Sequence, residues 1–426
     1  MRFFHFPICN SISILLVFIC FCMDTIQCTS DAFEVIWNAP SEVCAQNCGG
    51  LALEQYNIIS NMNEQFIGNK IACLYSNSFG LWPTLNATLI KTPCWKTGGK
   101  KPCSWTPWGE ISVKSNGGVP QAANLTAHLE KVSTDIVAAI PNPTFSGILI
   151  LDFEEFRPIL SANIDALSFN VVYSQELIKK QYPSWQNETK IALEAEKSFN
   201  NAALTFFIET IRTIRQLRPH AKIGYYEWPS DSTDEVDDKL SNLYKIVDIF
   251  APSVYPRYFT NVTKQIEFTV NRILEAQRVQ KIYGKSTSIV LPYVRALIGN
   301  DGQPLNRAML ATQIQIAAGL GTEGIILWGA SSDYSSGCEK NGGCDIVNNE
   351  LKTVAGPLIK TCIENRNNCR QNKCSGHGRC VDYDMKRLEK ICITSNNNRS
   401  SNNNMNCHCD YGWSGNSCNK NNLSVF

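Results

Sequence analysis

Histidine is scarce in this chain of 426 residues: five stand at positions 5, 128, 220, 377 and 408, and no two are at metal-ligand spacing. No catalytic metal is therefore expected. Nor is a cofactor, because no Gly-x-Gly-x-x-Gly turn follows an early strand and neither a phosphate loop nor a nucleophile elbow is present. Charge of one sign is missing too. Lys and Arg number 39 against 38 Asp and Glu, so the formal net charge is +1. That leaves no global field to attract nucleic acid, and any affinity for an acidic polymer has to be local. Beyond the N-terminal region no apolar run is long enough to span a bilayer, and the final Asn-Asn-Leu-Ser-Val-Phe lacks the hydrophobic tail of a lipid-anchor signal. No membrane anchor is expected.

Cysteine, by contrast, is plentiful. Nineteen cysteines would be hazardous in a reducing compartment, and six of them crowd between Cys369 and Cys418, as in a small disulfide-stapled module. The N-terminus carries Arg2, an apolar run over 12–23 and then Asp24, Thr25 and Gln27, the layout of a secretory signal over 1–28. Sequons at Asn86, Asn124, Asn187 and Asn261 agree with export, whereas those at Asn398 and Asn422 fit chance in Asn-rich surroundings. The expectation is a soluble, exported monomer, extracellular or lysosomal.

Short, nearly all-apolar runs recur at 33–37, 70–76, 147–152, 223–228, 246–255, 288–293 and 324–328. Such runs read as strands buried on both faces. Between them, apolar residues fall at helical spacing: Leu125, Leu129, Val132, Ile136 and Ile140; Leu204, Phe207, Ile211, Ile214 and Leu217; Ile266, Val270 and Ile273; and Met309, Ile314 and Ile316. Alternation of this kind predicts an α/β protein with a parallel (β/α) barrel over 29–360. The pattern stops near 355–368. A cysteine-rich module over 361–426 follows, interrupted by an Asn-rich loop at 395–406.

The strongest chemical signal is Leu-Asp-Phe-Glu-Glu-Phe-Arg-Pro at 151–158, closing the apolar run at 147–151. Residues two apart on a strand share a face, so Asp152 and Glu154 project together while Phe153 turns the other way. Two carboxylates this close resist joint ionisation, and the resulting protonated acid near neutral pH is what glycosidic cleavage needs. The plainer reading is a solvated acidic pair neutralised by Arg157, since such pairs are common at strand ends.

The segment Asp-Phe-Glu-Glu-Phe-Arg-Pro closely resembles the catalytic strand of the hyaluronidases, glycoside hydrolase family 56. Further segments resemble family landmarks in the same order: Trp-Asn-Ala-Pro-Ser at 37–41 with Cys44, Asn-Gly-Gly-Val-Pro-Gln at 116–121, Gly-Tyr-Tyr at 224–226, Pro-Ser-Val-Tyr at 252–255, Leu-Trp-Gly at 327–329 and Cys-Ser-Gly-His-Gly-Arg-Cys at 374–380. The resemblance implies a distorted TIM-like barrel followed by an EGF-like module. It implies hydrolysis of hyaluronan or chondroitin, with Glu154 as general acid and the substrate's own acetamide as nucleophile, oriented by Asp152. Tyr226, Tyr255 and Trp328 are implied to bind around the acetamide, with Arg157 the weakest candidate; aromatic residues at strand ends also commonly just fill a barrel mouth. The same resemblance implies disulfides Cys44–Cys338, Cys369–Cys380, Cys374–Cys407 and Cys409–Cys418.

The chain departs from the pattern after Tyr226, where Glu-Trp-Pro-Ser-Asp-Ser-Thr lacks the acidic residue and cysteine that many members carry after the proline. Two other functions compete. A chitinase-like enzyme also uses an Asp-x-Glu strand end, but Ile148 and Ile150 occupy the places of its upstream aspartates. A catalytically weak glycosaminoglycan-binding or adhesion protein would be favoured by loss of Asp152 or Glu154, and both are present. Finally, a Cys94–Cys103 bridge is expected to close a short hairpin within 92–108, whose Lys96, Lys100 and Lys101 would supply local attraction for a polyanion, unless they merely keep a surface loop soluble.

Overall fold

A computed structural model describes residues 33–89, 108–230, 234–256, 262–295, 305–334, 338–384 and 405–422. The expected signal segment 1–28, the hairpin with Cys94, Lys96, Lys100, Lys101 and Cys103, the sequons at Asn261 and Asn398, and 395–404 of the Asn-rich stretch lie outside the described residues.

The apolar runs become parallel strands. These are β1 (Glu34–Asn38), β2 (Ile58–Ile59) and β3 (Ile71–Tyr75); then, after an antiparallel hairpin of β4 (Thr84–Leu89) and β5 (Trp108–Ser115), β6 (Ile148–Asp152), β7 (Lys222–Tyr226), β8 (Ile249–Ala251), β9 (Ile289–Val290), β10 (Tyr293–Arg295) and β11 (Gly324–Trp328). One parallel sheet runs in the order β3-β6-β7-β8-β9 and a second in the order β10-β11-β1-β2. A parallel bridge between Ser253 and Tyr293 connects them. Each of the seven predicted runs overlaps a strand. The hairpin was not anticipated because much of β5 faces solvent and carries no continuous apolar signal.

Side chains alternate across these strands, which explains why nearly every position is apolar. Ile71, Cys73, Ile148, Ile150, Ile249, Tyr293, Ile36 and Ile326 enter one cluster drawn from both sheets. Their neighbours Ala72, Leu74, Leu149, Leu151 and Phe250 pack outward into a second cluster, and Val35, Trp37, Val294, Ile325 and Leu327 into a third. A strand with helices over its outer face and other strands across its inner face has no polar side to offer.

The long helix Glu188–Leu217 covers β6 and β7. Asn187 caps it by accepting from Lys190 N at 3.0 Å, and Ile191, Ala195, Phe199, Ala203, Phe207, Ile211 and Ile214 line its buried face at spacings of three or four. Phe153 is buried there, stacked on Trp82 at 4.2 Å between ring centres and edge-on to Phe156 at 4.6 Å and Phe207 at 5.7 Å. This anchor orients the flanking acids. Phe153→Ala is expected to cost about 3–5 kcal/mol, the usual range for emptying a buried aromatic site. Denaturant midpoints read the loss, and a change below about 1 kcal/mol would mean that the pocket collapses or that Phe153 is no anchor.

The disulfides correct one expectation. Cys44 bonds Cys344, not Cys338, with Cα atoms 5.6 Å apart, and Cys48 bonds Cys338 at 5.4 Å. The helix Glu42–Asn47 explains the exchange, since it places Cys44 and Cys48 one turn apart with Cys44 fully buried and Cys48 nearer the surface. Buried Cys344, on the helix Gly343–Glu350, reaches the inner sulfur and Cys338 takes the outer one. In the C-terminal part, Cys369–Cys380, Cys374–Cys407 and Cys409–Cys418 are bonded. The boundary expected at 355–368 falls within one continuous helix, Gly356–Lys373. That helix leads into two small antiparallel pairs, β12 (Gly378–Val381) with β13 (Asn406–Cys409) and β14 (Trp413–Ser414) with β15 (Lys420–Asn421). Arg379 pairs with Glu323 and Asp382 N donates to Gly319 O at 2.9 Å, so this part is fastened to the end of the helix Arg307–Gly319 and the turn that leads into β11.

Candidate active site

Asp152 ends β6 opposite Tyr75, the last residue of β3, and Ser76 N donates to its carbonyl at 2.9 Å. Glu154 stands two residues past the end of the strand and reaches solvent, as a group that must meet a substrate has to. Burial, then the charges of Glu154 and Glu227, push Asp152 up to about 8 against the pull of Arg157. Glu154 is also raised, first by the protein crowded around it and then by Glu227, with Arg157 opposing and Glu155 adding. The two therefore titrate as a pair that retains a proton into the neutral range.

Aromatic side chains from four strand ends and the turns after them, with Tyr293 at the start of β10, surround this pair. Tyr226, ending β7, is hydrogen-bonded to Ser253 and lies edge-on to Tyr293 at 5.1 Å. Tyr255, just after β8, is 6.2 Å from Tyr226 between ring centres and stacks on Trp328, the end of β11, at 5.6 Å. Trp328 Nε1 donates to Tyr75 Oη at 3.0 Å, and the Arg295 guanidinium covers its ring at 4.8 Å. Arg295 is in turn held by Asp333 at 3.0 Å, a pair with little exposure to solvent. Burial raises the Tyr75, Tyr226 and Tyr255 hydroxyls above the ordinary tyrosine value, so all three are neutral donors at working pH. A polar centre inside an aromatic wall suits a sugar ring, whose C–H faces pack on aromatics while its substituents hydrogen-bond.

The structure thus brings Asp152, Glu154, Tyr226, Tyr255 and Trp328 to one end of the strands. Arg157 stands beside them but is paired with Glu227 at 2.5 Å, its guanidinium 5.9 Å from the centre of the Trp228 ring. Tyr75, Glu227 and Arg295 were missed in the sequence. Tyr75 carried the same signal as Tyr255 and Trp328, an aromatic at a strand's C-terminal end. Arg295 was not legible, because its role depends on β10 lying beside β11.

Among the described residues one cluster has sulfur atoms close enough to hold a metal, Cys374, Cys380 and Cys407, and all three belong to disulfides. His377, in the turn between these cysteines, stacks on Trp413 at 3.4 Å. The sequons Asn86, Asn124 and Asn187 are all exposed. No helix among the described residues is long and apolar enough to cross a membrane.

The hyaluronidase of the honeybee Apis mellifera is 30% identical over 354 residues, covering 79% of this chain and 85% of that protein. Human hyaluronidase-1 is 27% identical over 82% of this chain and 78% of its own length, and a chondroitin hydrolase of Caenorhabditis elegans is 27% identical over 82% of this chain and 74% of its own length. The crystal structure of bee venom hyaluronidase in complex with a hyaluronic acid tetramer superposes with a TM-score of 0.66 at 29% identity, covering 77% of this chain and 98% of that one. The family model described as hyaluronidase matches residues 24–94 and 106–404, and the chain therefore belongs to the hyaluronidase family of glycoside hydrolases.

Proposed function

We propose that this chain is a secreted endo-β-N-acetylhexosaminidase that cuts hyaluronan, chondroitin or both. The observation that carries the reading is the Asp152–Glu154 pair, held in a proton-retaining state inside an aromatic cleft. Glu154 donates a proton to the glycosidic oxygen as the bond to the anomeric carbon breaks. The acetamide carbonyl of the same sugar attacks that carbon, and Asp152 accepts a hydrogen bond from the acetamide N–H. Glu154, now ionised, then takes a proton from the water that opens the cyclic intermediate. Binding itself readies the pair, because an N–H donated to Asp152 favours its ionised form and leaves the shared proton on Glu154. Tyr226 and Tyr255 position the acetamide, and Trp328, stiffened by Tyr75 and Arg295, packs beside it.

In this reading the two parallel sheets are the walls of one distorted (β/α) barrel over 29–360, supported by the inner cluster they share. The disulfide-bonded part over 361–426 is an EGF-like module, and its bonds favour an oxidising, extracellular or lysosomal setting. The test is incubation of the secreted protein with each polymer and sizing of the products. Oligosaccharides ending in a reducing N-acetylhexosamine are expected, and failure to shorten either polymer would reject the proposal.

A further inference from the structure

The turn leaving β7 holds a third carboxylate that this proton-transfer scheme does not use. Glu227 directly follows Tyr226, is 9% exposed and reaches Arg157 Nη2 with Oε2 at 2.5 Å. Its φ is +71°, in the left-handed region that a residue with a Cβ occupies only under strain. The backbone holds it there: Glu227 N donates to Ala251 O at 2.9 Å, and Arg272 Nη2 donates to the Glu227 carbonyl at 3.4 Å. Glycine would fit this turn without strain, so a charged residue kept in such a conformation beside an active site points to work done by the side chain.

We propose that Glu227 is a positioning residue for the acid pair, engaging Arg157 so that its positive charge does not draw the shared proton off Asp152 and Glu154. This rests on the hydrolase reading above. The charged and titratable groups around Glu227 fix the sign of the effect. From the end of β6 and the turn after it come Asp152, Glu154 and Arg157, and from β7, Tyr226; Glu155 acts on Glu154, and Tyr255, from the turn after β8, on Tyr226 and Asp152. From the helix Val262–Tyr283, Arg272 bonds the carbonyls of Ser253 and Glu227 and faces Asp237 of the helix Asp234–Asp238. Arg157 is thus the cation that acts on both carboxyls of the pair. Without the Glu227 charge, Arg157 would favour their ionised forms unopposed. Loss of the direct repulsion from Glu227 acts in the same direction, so both effects release the proton at lower pH.

Two variants of the full-length protein test this: Glu227→Gln keeps the shape, and Glu227→Gly removes the carboxylate while suiting the positive φ. Carboxyl 13C NMR reads the titration midpoints of the pair, identified by the signals lost in Asp152→Asn and Glu154→Gln, whether or not the protein turns over substrate. In both variants the midpoints are expected to fall by about 1 pH unit, the lower end of what a neighbouring charge does, and the alkaline limb of kcat/KM to move with them. Adding Arg157→Gln to Glu227→Gln should return the midpoints towards wild type, and Glu227→Asp should preserve them. Midpoints unmoved in Glu227→Gln and Glu227→Gly would overturn the proposal, even for a protein that cuts its polymer normally. Shifted midpoints in a protein that cuts neither polymer would uphold the positioning role and reject the hydrolase reading instead.

Discussion

Glu154→Gln is expected to lower kcat by about 10²–10⁴-fold, the range supplied by a positioned general acid, with secretion intact and the fold no less stable than the wild type's. Glutamine keeps the length and planarity of the side chain, and the position is open to solvent, so no packing is lost. What disappears is the transferable proton. The loss should fall on kcat more than on KM, because the carboxyl acts on charge that develops as the bond breaks. Leaving-group chemistry separates this role from a general disturbance of the site. An aryl glycoside whose phenol departs without protonation should recover the first step in the variant, giving a burst of phenol, while the polymer stays uncut. The wild-type rate should decline on the alkaline side as Glu154 loses its proton, at a pH above that of an ordinary glutamate because its pKa is raised. A variant that retains more than about a tenth of the wild-type rate on polymer would remove Glu154 from the acid role.

How the site came to be readable in part follows from periodicity. Each strand here needs apolar residues on both faces, so its end is marked by the first polar or aromatic residue that breaks the run. Asp152, Tyr226, Tyr255 and Trp328 all stand at or just past such breaks, and so does Tyr75. Phe153 between the acids fixed which way they point, and it is packed into the outer aromatic cluster as alternation requires. What could not be read was pairing across long distances. The resemblance implied Cys44–Cys338 and left Cys48 unassigned, and only the helix carrying both cysteines shows that Cys44 faces inward to Cys344 and Cys48 outward to Cys338. Glu227 carried no site signal, because a positive φ at a glutamate leaves no trace in the sequence. The two-residue β2 is too short for any period to reveal, and the boundary at 355–368 was drawn where composition changes although the backbone runs on as one helix.

Asp152→Asn should separate function from stability, lowering activity while strengthening the fold. In the unfolded chain an aspartate titrates near ~3.9. In the native cleft Asp152 is pushed up to about 8, chiefly by burial and by the charges of Glu154 and Glu227. The folded state therefore binds this proton more tightly than the unfolded chain, and between these two pH values wild-type stability falls as pH rises. Asparagine has no charge to bury, so that decline should vanish. The variant's Tm should exceed the wild type's by a few degrees near pH 8, with the gap closing as pH falls below about 4, where both forms of the wild type hold the proton. Activity should drop by about 10²–10³-fold, the usual cost of removing one electrostatic partner of a developing charge, because a neutral amide polarises the acetamide N–H far less than a carboxylate. Thermal melts at several pH values and a pH–rate profile on the same variant decide the matter. A Tm gap that stays flat with pH would place the native aspartate in ordinary solvent, and full activity would exclude it from orienting the acetamide.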